Sequence, residues 1–206
     1  MARKFDLKKL RSSAQADLHE SIHIVTRVSA DKSDYLFPRW ICKMTAVDIH
    51  ATWERFVEDR AAAALNHNPH YFLKEHDVKG VTNISSGLAY YIVRSGGRYF
   101  DFRGMSDLYS KSDDWFSKSG NPLRNVSVTD SQYIDALSAI RNCITHGSEA
   151  AQKAYKRHLH SCFGIKSPPK PDEFLFAKDF RPTSPMRYSA RILVLITVLE
   201  RVIGGI

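Results

Sequence analysis

The sequence predicts an all-α fold on three observations: two long stretches near its start carry apolar residues at helical spacing, its last third is punctuated by helix caps and stops, and strand-like character is confined to the middle. The first stretch, Asp6 to Ala30, places Leu10, Leu18, Ile22, Val25 and Val28 among charges and reads as a long helix. A turn through Asp31 to Pro38 leads into a second long segment, Arg39 to Leu65, which Asn66 to Pro69 closes. On it Trp40, Met44, Val47, Ala51, Ala62 and Leu65 read as one apolar stripe, with Glu54 and Glu58 on the same stripe. Carboxylates on an apolar face call for partners, because Glu is rarely buried unpaired.

The middle third is less regular. Val81 to Val93 is compatible with helix or strand, and Arg94 to Arg103, with Gly96 and Gly97, with a tight turn or a small hairpin. Ser106 to Phe116 reads as a short helix before the break at Gly120, Asn121 and Pro122. Further on, Thr129 or Asp130 can cap a helix that runs to His146, where Gly147 permits a left-handed stop. Ser148 then caps a helix from Glu149 to about Phe163. Residues 167–185, rich in Pro, Lys and Asp, read as an extended surface loop, and Met186 to Ile203 as a final apolar helix broken by Glu200 and Arg201, too short for a membrane span.

With 206 residues, 43% hydrophobic and 25% charged, the chain reads as a single domain spanning 1–206 with a sizeable core. A formal net charge of +8 suits a polyanionic partner such as nucleic acid, and equally well a surface kept basic for solubility. Cys42, Cys143 and Cys162 form no CxxC pair, which fits free thiols in a reducing, cytoplasmic setting, and no secretory signal or membrane partner is expected.

Candidate chemistry concentrates at the end of the helix that stops at His146. Projected at helical spacing, Ile134, Leu137, Ile140 and Ile144 share a buried face, Arg141 sits at its margin, and Asn142 and His146 lie one turn apart on another face. An arginine at a core margin needs an anionic partner, and Glu54, or Glu58, is the candidate to orient it; the competing reading lets all three charges reach water. Downstream, Lys153, Lys156, Arg157 and His160 form one basic stripe, either a track for an RNA backbone or a solvated helix face. His158 with Cys162, and the cluster His67, His70 and His76, lack a second ligand pair, so no metal site is assigned.

The run Arg141, Asn142, Cys143, Ile144, Thr145, His146 resembles the Arg-polar-three-variable-His motif of HEPN superfamily ribonucleases, placed as in that family at the end of a late helix. Ala46 to Arg60, with Trp53, Glu54, Arg55 and Phe56, looks like the family's earlier helix with its acidic residue, and its flavour is similar to the RiboL-PSP-HEPN branch. The resemblance covers these two helices only; the middle region, Tyr71 to Asn125, matches nothing in it. It implies a HEPN-like helical bundle with an irregular middle insertion, acting as a homodimer on RNA without metal or cofactor in a toxin or defence setting, with an antitoxin as a further partner. The implied catalytic residues are Arg141, Asn142 and His146: His146 as general acid or base, Arg141 holding the scissile phosphate, Asn142 positioning it. The products would be a 2′,3′-cyclic phosphate and a 5′-hydroxyl. The rival expectation is an inactive HEPN-like module that binds RNA or protein.

Overall fold

The computed structural model describes residues 4–30, 36–98, 100–184 and 189–206. Its elements are α1 (Leu7–Ala30), α2 (Leu36–His67), α3 (His70–Glu75), α4 (Ser86–Val93), α5 (Met105–Asp113), a 3-10 turn (Pro122–Asn125), α6 (Val128–His146), α7 (Glu149–Phe163), α8 (Pro171–Phe176) and α9 (Arg191–Gly205). The all-α expectation holds. Among the described residues there is no strand, only an isolated antiparallel bridge between Lys178 and Ala190, and no helix is long and apolar enough to cross a membrane.

The bundle is organised around α2, which touches α1, α4, α6, α8 and α9. Its buried residues, among them Cys42, Ala46, Ile49, Trp53, Phe56, Val57 and Leu65, point to several sides, as expected of a helix enclosed by neighbours. The first half of the expected apolar stripe is therefore a correction: Trp40 is 54% exposed, Met44 44%, and Ala51 is exposed, with Cys42, Thr45, Ala46 and Ile49 facing inward instead, while Ala62 and Leu65 of the same stripe are buried. From α6, Ile134, Leu137 and Ile140 enter the core and Ile144 is half-buried, as the projection predicts.

Local signals explain most boundaries. Asn66, the end of α2, is buried; its amide donates to the Ile84 carbonyl at 2.8 Å and accepts from the Phe5 amide at 3.2 Å, tying three segments together. Val81 to Val93 resolves as helix over its last eight residues because Ser85 caps it, accepting from the Leu88 amide. Arg94 to Gly96 form a turn with Ser95 and Gly96 at positive φ, and no hairpin forms among the described residues. The cap of α6 is Ser127, two or three residues before the expected one: its hydroxyl accepts from the Asp130 amide at 3.1 Å, leaving the Asp130 carboxylate to pair with Arg201 of α9.

The expected surface loop over 167–185 is also corrected. Pro171, Asp172 and Glu173 open α8, where proline and acids at a first helical turn are favourable, and Phe174 and Leu175 are fully buried. Arg39 of α2 reaches Asp172 at 2.6 Å and Glu173 at 2.8 Å. The last helix begins at Arg191; Met186 and Tyr188, which the periodicity assigns to it, lie outside the described residues, and Ser189 and Ala190 are spent on the bridge to the segment after α8.

That segment is locked by Asp179, whose side chain is 1% exposed. Arg181 forks onto it, with Nε at 2.8 Å from Oδ1, and also donates to the Cys162 carbonyl at 2.7 Å while lying over the Phe163 ring. Burial pulls the Asp179 carboxyl upward, but hydrogen bonds from Arg181 and Ser184 outweigh it and hold the group below its ordinary range. Since the folded value is depressed, this contribution to stability is complete above the unfolded carboxyl pKa of about 3.9 and is lost as pH falls through the folded value. Asp179→Asn should cost about 3–5 kcal/mol in urea unfolding at neutral pH, with the gap from wild type closing in acid; a pH-independent loss under about 1 kcal/mol would show that the latch is not stabilising.

Candidate functional site

Helix α6 must end where it does. Gly147 adopts φ +59°, its amide closing the helix onto the Cys143 carbonyl at 3.2 Å, and Ser148 caps α7 by accepting from the Ala151 amide. This tight corner packs α7 back along α6 and leaves His146 exposed at its apex. One turn earlier Asn142 is half-buried, and so is Arg141.

The expected partner of Arg141 is where the structure departs from the sequence reading. Among the described residues no ion pair joins Arg141 to Glu54 or Glu58. Glu58 is taken by Arg94, whose Nε donates to it at 2.5 Å, so its orienting role is withdrawn. Glu54 lies 3.4 Å from Nδ1 of His50, one turn back on α2. The His50 contact holds the Glu54 carboxyl below its usual range; burial opposes the shift, and the Arg141 charge adds to it from farther off. Arg141 itself donates to Oδ1 of Asn142 at 2.8 Å. That bond fixes which way the carboxamide is flipped: its oxygen is occupied and its NH₂ group is left to donate.

Asn142 lines a groove of about 590 Å³ between the start of α5, α6 and α7. Arg103, Ser138, Arg157 and His158 share the wall, together with Asp107 and Asp135. Both carboxylates turn to backbone amides, Asp135 to Met105 at 2.8 Å and Asp107 to Arg103 at 2.8 Å, whereas Arg103 and Arg157 are exposed. Gly104 is required at the groove's edge: it holds φ +140°, and a Cβ there would come 2.8 Å from Asp135 Oδ1. Arg141 and His146 do not line this groove, and no hydrogen bond joins them.

No family model, curated protein or solved structure matches this chain.

The basic stripe on α7 is exposed at Lys153, Lys156, Arg157 and His160, opposite the buried Tyr155, Leu159 and Phe163. Lys153 pairs with Glu149 at 2.6 Å, so Lys156 and Arg157 carry the rest of the stripe's charge, with His160 beside them. Burial lowers the His158 pKa, favouring a neutral ring beside Arg157 at 3.2 Å. Among the described residues no three His, Cys, Asp or Glu side chains are gathered for a metal ion. The thiols are free, and burial pushes Cys42 and Cys162 up to about 12, so neither is a ready nucleophile.

Sequence reasoning missed His50 and Ser138. His50 is 5% exposed, and its Nε2 lies 2.9 Å from Ser138 Oγ on α6. The only local clue is a histidine one turn before Glu54; pairing with a residue 88 positions away has no sequence signature. Because the Glu54 carboxyl is depressed on folding, its contribution is present above the unfolded glutamate pKa of about 4.3 and fades below it. Glu54→Gln should therefore lower stability at neutral pH by no more than about 1 kcal/mol, the carboxylate being partly in water, with the difference vanishing near pH 3. Thermal unfolding across pH measures it, and a loss that persists unchanged in acid would mean Glu54 acts by packing.

Proposed function

We propose that this chain is a metal-independent endoribonuclease of HEPN type that works as a homodimer, in the toxin or defence setting that its Arg-polar-three-variable-His motif implies. The observation that carries the reading is the last turns of α6: an asparagine amide fixed by Arg141 on a groove wall shared with Arg103 and Arg157, and an exposed imidazole one turn beyond. These are the group types that transesterification of RNA needs. His146 moves a proton to or from the ribose 2′-hydroxyl or the leaving 5′-oxygen. Asn142 donates to a phosphate oxygen; Arg141 holds Asn142 and contributes positive charge to the phosphate. Lys156, Arg157 and His160 continue from this point along α7 as phosphate contacts.

A single chain offers one exposed imidazole at the motif, and attack and departure call for a second proton carrier. A second copy, related by a two-fold axis near the α6–α7 corner, supplies it. The alternative is an RNA-binding module without activity, favoured by the absence of both Arg141 and His146 from the groove wall.

Labelled RNA incubated with the purified protein in excess chelator should give fragments ending in 2′,3′-cyclic phosphate, and His146→Ala should slow the reaction about 10²- to 10⁴-fold. Binding without cleavage selects the module; equal cleavage by both proteins marks a contaminant and sinks the enzyme. Changing Lys156 and Arg157 to Ala should weaken binding alike for all sequences and reduce the slope of log affinity against log salt by about 1 for each phosphate no longer neutralised.

A further inference from the structure

Three residues outside the RNA reading have the arrangement of an activated nucleophile. Ser138 of α6 lines the groove, the buried His50 of α2 stands behind it with Nε2 at 2.9 Å, and Glu54 faces the far ring nitrogen at 3.4 Å. Glu54 is partly exposed, whereas the His50 side chain is 6% exposed, so the imidazole is held in place and shielded while its carboxylate partner reaches solvent.

The contacts around the ring favour one placement of the protons. His50 Nδ1 is buried without a formed hydrogen bond, and the Glu54 carboxylate 3.4 Å away gives it an acceptor to close onto; that favours the tautomer with hydrogen on Nδ1, which leaves the Nε2 lone pair facing Ser138. The serine has one hydroxyl hydrogen and two acceptors in reach, Nε2 and the Ile134 carbonyl at 3.0 Å. The carbonyl already receives an amide of its own helix, and the ring nitrogen is the stronger base, so the hydrogen goes to His50. One turn along the same groove wall stands the Asn142 NH₂, its oxygen held by Arg141, as a donor to charge developing beside Ser138.

We propose that Ser138, His50 and Glu54 form an acyl-transfer site that opens into the groove and takes an ester or thioester bearing an anionic group. Ser138 Oγ attacks the acyl carbon as its proton passes to His50 Nε2; the carbonyl electron pair becomes an oxyanion that accepts from Asn142. Collapse of that intermediate expels the alcohol or thiol, which takes the proton back from His50. Water, deprotonated by the same nitrogen, then cleaves the seryl ester to a carboxylic acid and restores Ser138. Arg103 and Arg157, exposed on the wall, suit the anionic group, and Met105, Ala139 and Ala154 give the acyl chain an apolar bed.

The test uses a fluorophosphonate, which reports a serine activated by a base without knowledge of the natural substrate. The full chain should gain one adduct by intact mass, mapped to the peptide containing Ser138; Ser138→Ala should abolish it, and His50→Gln should slow it at least about 100-fold. No adduct on folded wild type, or one that survives Ser138→Ala, overturns the proposal. Should Ser138→Ala fail to fold, Ser138→Cys keeps the shape: its thiol should react with iodoacetamide faster than the same thiol in the His50→Gln background, and equal rates overturn the proposal too. RNA cleavage, read separately on the same samples, depends on His146 and stands or falls by itself.

Discussion

Everything in this fold depends on enclosing α2. A helix with buried residues on several sides can be stable only when neighbours cover each of them, and here α1, α4, α6, α8 and α9 do so. The enclosure dictates where polar chemistry can arise. A polar side chain on α2 that faces a neighbour has lost water, and each hydrogen bond left unmade there, as at Trp53 Nε1 and His50 Nδ1, costs about 1–3 kcal/mol. Asn66 solves this with backbone groups of two other segments, and His50 with Ser138 through Nε2, whereas Arg55, which bonds to Thr52 at 3.3 Å, is itself exposed. The seam between α2 and α6 opens onto the groove walled by Asn142, while Thr52 and Arg55 line a separate groove beside α1.

What the sequence made readable follows from range. The α6–α7 corner was legible because every determinant is local: His146 ends a periodic stretch, Gly147 takes the left-handed backbone that its neighbours avoid, and Ser148 caps the next helix. The inward face of α6 was legible for the same reason. The face of α2 was not, because a helix covered on several sides has no single stripe, and large residues such as Trp40 and Met44 draw a periodic reading toward a face that is in fact exposed. Helix α8 was hidden by ambiguity in its signals: Pro171, Asp172 and Glu173 mark a loop as readily as a first helical turn, and only the burial of Phe174 and Leu175 decides between them. The polar seam was beyond reach, since His50 and Ser138 meet only once both helices are packed.

Spacing along α6 gives the site its economy. Ser138, Asn142 and His146 follow one another at single-turn intervals, so one helix face presents a hydroxyl, an amide and an imidazole in a row, from the buried seam to open water. Eight residues of helix span about 12 Å, too far for the first and last of these groups to act on one atom. Asn142 is the member within reach of both neighbours, and Arg141 serves it in either role by holding the carboxamide oxygen. Arg141 thus acts on the groove by way of Asn142, while its charge still reaches Glu54 of α2.

The electrostatics of the groove follow from which charges are satisfied. Asp107 and Asp135 would repel an anion if their oxygens were free, but each accepts a backbone amide at the start of α5, and the amide bond from Arg103 foremost, helped by Lys111, holds the Asp107 carboxyl below its usual range. Their negative charge is thereby drawn toward the helix start, while the guanidinium groups of Arg103 and Arg157 extend into water. The Asp135 bond to the Met105 amide fixes the backbone beside Gly104 against α6, so the groove's width and the placement of its carboxylates come from one set of bonds.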